Sequence, residues 1–129
     1  MAFKSIDDVL RPDPRFETLV TIENGIMRRA TLDDHHRSVA NIAVSTSAPA
    51  EVSEAFDRAR NTYLYAYFSY ELLVVSETQA FGSFELALKY RLRGPEGPAR
   101  GTLRNLIDQA RKARLLPALP RANGPVAKP

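Results

Sequence analysis

The sequence predicts an all-α fold, an antiparallel helical bundle built around one long, aromatic-rich helix. Between Glu51 and Arg93 there is no proline and only one glycine, Gly82. Over the same range, apolar and aromatic side chains recur at steps of three or four residues, which is the helical period. Hydrophobic residues make up 44% of the chain and charged residues 26%, a balance typical of a folded domain, here residues 1–116.

The N-terminal part of the chain predicts short elements. Residues 5–10 form at most one short helix before two prolines. Residues 16–27 are ambiguous, because their apolar side chains fit a helix while the alternation at residues 18–22 fits a strand; we expect a helix. Thr31 is followed by two aspartates, a typical helix start, so residues 31–44 predict an amphipathic helix.

The long helix begins after Pro49, because a proline needs no amide donor at a helix start. At 1.5 Å per residue, residues 51–93 would extend over about 65 Å, which exceeds the width of a compact domain of this size. We therefore expect one kinked helix, two nearly collinear helices, or a partner chain along the helix. The Gly82–Ser83 pair places the predicted kink between residues 76 and 83.

The middle of this helix, residues 63–70, is apolar or aromatic on every side and contains four of the five tyrosines. A helix that is apolar all round must be covered, so we expect a core position or a seam between two copies of the chain. The predicted self-association residues are Tyr63, Tyr67, Phe68 and Tyr70. A platform for stacking nucleic-acid bases and a pocket for a small molecule are the other interpretations.

Two glycines and two prolines between residues 94 and 98 end the long helix. Thr102 can cap a last helix over residues 102–114, with an apolar face opposite a charged one. Residues 117–129 are rich in proline and predict a disordered tail.

Charge is unevenly distributed along the chain. Residues 1–90 carry 9 basic and 13 acidic side chains, whereas residues 91–129 carry 9 basic and 2 acidic ones, for a total net charge of +3. The basic region is either a solvated helix surface or a surface that attracts phosphate and acidic groups. The candidate nucleic-acid-binding residues are Arg104, Arg111, Lys112 and Arg114.

Few residues suit catalysis or metal binding. The only two histidines, His35 and His36, are adjacent, so on a helix they point about 100° apart and do not chelate one ion. The chain has no cysteine, and we expect no metal and no other cofactor. The sequence contains no glycine-rich phosphate loop and no nucleophile motif.

Three stretches resemble the helical core of poorly annotated bacterial proteins that are similar to the HEPN class (higher eukaryotes and prokaryotes nucleotide-binding). They are ARNTYLYAYF at residues 59–68, QAF at residues 79–81 and FELALKYRL at residues 84–92. HEPN domains occur in toxin and phage-defence ribonucleases. The resemblance covers residues 50–115 and implies a dimeric, all-helical domain.

Active HEPN domains place an arginine and a histidine at the interface between two protomers, usually at the start of a late helix. Here the late helix contains no histidine, and the spacing is matched only near the N-terminus, by Arg29 with His35 or His36. A histidine can act as general base in RNA cleavage while an arginine stabilises the charged transition state. The resemblance therefore implies a metal-independent ribonuclease as one alternative.

The expected function is a non-catalytic helical interaction module, in which residues 63–70 bring together a homodimer or bind another protein chain. The alternative is a HEPN-like RNA-binding or ribonuclease domain. The first ten residues lack the apolar run of a signal peptide, and the longest uncharged stretch, residues 38–50, is far shorter than the roughly 20 residues that cross a bilayer. We therefore expect a cytoplasmic protein with no membrane partner, and the resemblance described above implies a bacterial one.

Overall fold

The computed structural model describes residues 2–117 and contains, within them, five helices and one two-stranded sheet. In chain order these are α1 (Pro14–Glu17), β1 (Val20–Glu23), β2 (Ile26–Arg29), α2 (Leu32–Ala40), α3 (Ala50–Tyr65), α4 (Leu72–Arg91) and α5 (Leu103–Lys112). Two compact units divide between Ala87 and Leu88. Residues 118–129, and with them nearly all of the predicted tail, lie outside the described part. No helix of that part is long and apolar enough to cross a bilayer.

A β-hairpin replaces the helix predicted for residues 16–27. Strands β1 and β2 pair antiparallel, with Ile22 opposite Met27. Asn24 and Gly25 form the turn with φ angles of 53° and 77°, and a two-residue hairpin turn needs positive φ at both positions, which asparagine and glycine tolerate best. The all-α prediction is therefore wrong, and the fold is mixed.

Of the two interpretations of residues 51–93, one long helix is wrong, because the chain forms two helices, α3 and α4. The break predicted between residues 76 and 83 is also wrong. Helical structure is interrupted over residues 66–71, inside the aromatic stretch, whereas Gly82 lies within α4 without breaking it. Asp13 bonds to this connection twice: its backbone N–H donates to the Tyr67 carbonyl at 2.8 Å, and its carboxylate accepts from the Tyr70 N–H at 2.9 Å. These bonds hold the backbone of the α3–α4 connection in a turn.

The two capped helices are confirmed. The Thr31 side chain accepts from the Asp34 N–H and the Asp34 side chain accepts from the Thr31 N–H, a reciprocal capping box at the start of α2. Thr102 caps α5 by accepting from the Asn105 N–H. Helix α2 ends at Ala40 rather than at residue 44.

Each unit buries its own small core. In the first unit, Phe16, Val52, Ala59 and Ala66 are buried, and the Ser76 hydroxyl of α4 donates to the Ala59 carbonyl at 3.0 Å. In the second unit, three buried residues form the core, and five partly buried ones pack against it: Leu88, Leu106 and Ala110, with Leu92, Ala99, Leu103, Ile107 and Leu116. The apolar face predicted for α5 is thus the buried one.

Candidate functional site

His35 is the most enclosed of the candidate catalytic side chains. Its ring stacks on Tyr63 with centroids 4.4 Å apart and meets Phe16 edge-on at 5.2 Å. Its Nε2 lies 2.7 Å from the Tyr63 carbonyl oxygen, and because a carbonyl oxygen only accepts, Nε2 carries a proton and donates. Tyr63 is in the last turn of α3, and its carbonyl also accepts from the Ala66 N–H at 3.1 Å, so His35 supplies a second donor at the C-terminal end of α3.

An open cleft of about 270 Å³ runs past His35, between the start of the hairpin and helices α2 and α3. Its polar wall includes Thr31, Asp34 and Ser38. The Ser38 hydroxyl donates to the His35 carbonyl at 2.6 Å and lies 3.2 Å from the Tyr63 hydroxyl. Ser38 is therefore bonded to a backbone acceptor rather than to a base, which is not the arrangement of an activated nucleophile.

Arg28 and Asp34 form a forked ion pair at the edge of this cleft. Both terminal nitrogens of the Arg28 guanidinium lie 2.7 Å from the Asp34 carboxylate, and Arg28 Nε lies 2.7 Å from Glu23. The hydrogen bonds from Arg28, followed by the Thr31 N–H, hold the pKa of Asp34 well below its usual range. The bonds to Asp34 and then Glu23 raise the pKa of Arg28. The pair joins the hairpin to α2.

The contribution of Asp34 to the free energy of unfolding should decrease at acidic pH. Because its folded pKa lies below the unfolded value, the stability it contributes is complete above about pH 4 and is lost as the pH falls towards the folded pKa. Asp34→Asn is expected to be less stable than the parent at pH 7 and to lose less stability between pH 5 and pH 2. Urea unfolding across this range measures both effects. Asp7→Asn, at an exposed position, is the control, and an unchanged acid dependence in Asp34→Asn contradicts the prediction.

The structure does not bring Arg29, His35 and His36 together within one chain. Strand residues alternate between faces, so Arg29 lies on the opposite face of the hairpin from Arg28, which faces Asp34. His36 follows His35 on another side of α2 and lines a second groove, of about 500 Å³. Each of the three candidate side chains thus lies on a different surface.

The predicted self-association residues are placed unequally. Tyr63 stacks on His35, and Tyr67 lies 5.5 Å from the Phe16 ring. Phe68 meets Tyr67 edge-on at 5.3 Å and lines the groove of His36. Tyr70 is 41% exposed, with the Arg15 guanidinium 4.8 Å from its ring centroid. Tyr63 and Tyr67 therefore pack within the chain, and Tyr70 has the most exposed ring of the four.

The predicted basic residues lie in the second unit, on and just after α5. Arg104, Lys112 and Arg114 are exposed, whereas Arg111 is partly buried. An Arg111 terminal nitrogen lies 3.9 Å from the Asp108 carboxylate. Arg104, Lys112 and Arg114 therefore point to solvent, and Arg111 is held against its own helix.

Asp13 has a structural role that was not predicted from the sequence. An aspartate directly before a proline is a helix-start signal, since the carboxylate caps and the proline needs no donor. Asp13 does cap α1 in this way, by accepting from the Arg15 N–H at 3.0 Å.

Comparisons with known proteins add no assignment. The chain matches no protein-family model, no curated protein and no solved structure. Among residues 2–117, no three histidine, aspartate or glutamate side chains are grouped as they would be to hold a metal ion. The function has to be inferred from the geometry of the surfaces and of the buried aromatic cluster.

Proposed function

We propose that this chain is a non-catalytic interaction module that associates with a second copy of itself through the outer side of α4. The observation that carries the proposal is apolar exposure: Val74 is 67% exposed and Phe81 is 55% exposed, on one continuous side of the helix. Exposed apolar patches that persist in a folded chain mark association surfaces.

The two sides of α4 differ in exposure within the first unit. The side packed inward carries small residues, including Ser76, Ala80 and Ser83, and the Ser76 hydroxyl reaches the α3 backbone. The outer side, which we define as the α4 patch, consists of exposed positions: Val74, Val75, Glu77, Thr78, Phe81, Gly82 and Phe84. Four of these seven are large and apolar, so the helix presents an apolar surface to solvent.

Gly82 indicates what kind of contact the α4 patch makes. Within residues 2–117, nothing lies within 4 Å of the position that a Cβ at Gly82 would take, so no neighbour in this part of the chain requires a glycine there. A glycine inside a helix nevertheless costs about 1 kcal/mol relative to alanine. A close approach by a second helix accounts for this cost, because the missing side chain leaves room for it.

A second copy of α4 suits this gap, because a two-fold interface places the same residues on both sides. The Phe81 ring of one copy can fill the space above Gly82 of the other. The resemblance to HEPN domains stays a prediction.

Sedimentation equilibrium tests the proposal. We expect the parent chain to dimerise at micromolar concentration and Phe81→Gln to raise the dissociation constant about tenfold or more, since buried aromatic residues dominate interfaces. Ile42→Thr is the matched control, because Ile42 is 53% exposed but lies outside the α4 patch. A monomeric parent, or equal weakening by both substitutions, contradicts the proposal.

Gly82→Ala is expected to change folding and association in opposite directions. It should stabilise the monomer by about 1 kcal/mol through helix propensity, measured by urea unfolding at concentrations below dimerisation. It should also weaken the dimer, because the new methyl group closes the gap. Thr78→Ala is the matched control: it raises helix propensity on the same patch without filling space, so the dimer should persist. A dimer unaffected by Gly82→Ala places the contact elsewhere.

A further inference from the structure

We propose that the second unit binds the phosphodiester backbone of nucleic acid through the exposed cations around α5. This inference is independent of the proposed self-association, because it rests on different residues and a different unit. The described part of this unit, residues 88–117, contains eight basic and two acidic side chains. Six of the eight are arginines, whose planar fork of donors matches phosphate oxygens.

The fold turns these cations outward. Helix α5 buries Leu106 and Ala110 completely, which orients the opposite side of the helix towards solvent. Arg104 and Lys112 are exposed there. Arg100 precedes the helix and, together with Lys89, lines an open groove of about 320 Å³. Basic side chains therefore stand at both ends of α5.

The spacing of the cations favours a polymer over a single phosphate. Helix α5 has ten residues, so its two ends lie about 15 Å apart. Arg100 and Arg104 at one end and Lys112 and Arg114 at the other are thus spread along the helix rather than gathered around one point. A chain of phosphates can contact both ends at once, and each added contact displaces a counterion.

Arg114 occupies a position whose backbone conformation does not favour an arginine. Its backbone is left-handed, with φ 58°, a conformation that favours glycine after a helix. The helix end is closed by backbone bonds alone, from the Arg114 N–H to the Arg111 carbonyl and from the Leu115 N–H to the Ala110 carbonyl. The arginine side chain is thus not needed for this turn.

A membrane surface fits this unit less well. Basic membrane-binding helices carry large apolar residues beside their cations, which insert between lipids. Within residues 88–117 the one exposed large apolar side chain is Leu115, at 37% exposure. The cations are therefore not accompanied by an apolar surface that could insert.

Fluorescence anisotropy with labelled single-stranded RNA and DNA 20-mers, between 50 and 300 mM NaCl, tests the proposal. We expect binding whose logarithm falls linearly with log salt, with a slope of about −2 to −3 for three or four phosphate contacts. Arg114→Gly should weaken binding about threefold to tenfold and reduce the slope by about 0.7, yet raise the melting temperature. Arg58→Gln, an exposed arginine on α3, is the matched control and should change neither.

Because Arg114→Gly is expected to fold better than the parent, lost binding cannot be attributed to unfolding. Binding to both nucleic acids, or to RNA alone, supports the proposal. Absence of binding at 50 mM NaCl overturns it, as does equal weakening by Arg58→Gln. Displacement by polyglutamate at matched charge would assign the surface to acidic proteins, and tighter binding to phosphatidylserine vesicles would assign it to membranes. Either result also overturns the proposal.

Discussion

Replacing Asp13 with alanine is expected to lower the free energy of unfolding by about 3 kcal/mol. Asp13 is buried, with 3% exposure, and its carboxylate accepts the Arg15 N–H and the Tyr70 N–H. Alanine removes a helix cap, worth about 1 kcal/mol, and leaves the Tyr70 donor without its acceptor, which costs about 1–3 kcal/mol. The backbone N–H of residue 13 can still donate to the Tyr67 carbonyl, so the substitution removes one of the two bonds that tie this residue to the turn between α3 and α4.

The charge of Asp13 also makes the stability of the fold depend on pH. Burial on its own raises the pKa of Asp13, but the hydrogen bonds from the Tyr70 and Arg15 amides, helped by the charges of Arg15 and Lys4, outweigh it and hold the pKa below its ordinary value. A lowered folded pKa means that the stabilisation is complete above about pH 4 and is lost as the pH falls below that. Asp13→Asn should therefore lose less stability on acidification than the parent.

Chemical denaturation at pH 7 and pH 3 measures both effects. Asp8→Ala is the control, because Asp8 also bonds near the N-terminus but its side chain is 49% exposed in its ion pair with Arg11. We expect it to cost less than about 1 kcal/mol. If Asp13→Ala cost no more than Asp8→Ala, the turn would be held by something other than Asp13.

The position of the break between α3 and α4 could not be predicted from sequence patterns alone. The period of three and four residues continues through residues 63–70, so local propensity favours an unbroken helix. The Tyr70 N–H bonds instead to the Asp13 side chain, 57 positions earlier in the chain. Local periodicity cannot predict a long-range bond of this kind. The glycine at position 82, where a kink was expected, lies inside the continuous helix α4.

The hairpin was predictable from local sequence, since Asn24–Gly25 between β-branched and apolar residues is a strong signal for a two-residue turn. Three apolar residues in the same segment also have helical spacing, and this led to the wrong prediction of a helix for residues 16–27. The caps Thr31 and Thr102 were predicted well, because capping depends on side chains within three residues of the helix start.

The candidate site was partly predictable for a similar reason. Helical geometry requires His35 and His36 to point in different directions, and the structure confirms that they do. Which of the two faces inward depends on Phe16 and Tyr63, which come from other elements. The inward position of His35 could not be derived from α2 alone.

His35→Ala is expected to destabilise the first unit by about 3 kcal/mol. It removes two ring contacts, with Tyr63 and Phe16, each worth about 0.5–1.5 kcal/mol beyond the area they bury. It also leaves the Tyr63 carbonyl without the Nε2 donor. His36→Ala is the matched control: His36 is exposed on the same helix, so its loss should change stability by less than about 0.5 kcal/mol.

His35→Phe separates packing from hydrogen bonding. It retains an aromatic ring between Tyr63 and Phe16 but cannot donate to the Tyr63 carbonyl, so its cost should lie between those of His36→Ala and His35→Ala. Urea unfolding gives the three values, and ribonuclease assays on the same samples bear on catalysis. If His35 is structural, any effect of His35→Ala on RNA must follow the fraction unfolded. Cleavage by the parent that disappears in a fully folded His35→Phe would instead make His35 a catalytic residue and contradict the non-catalytic role.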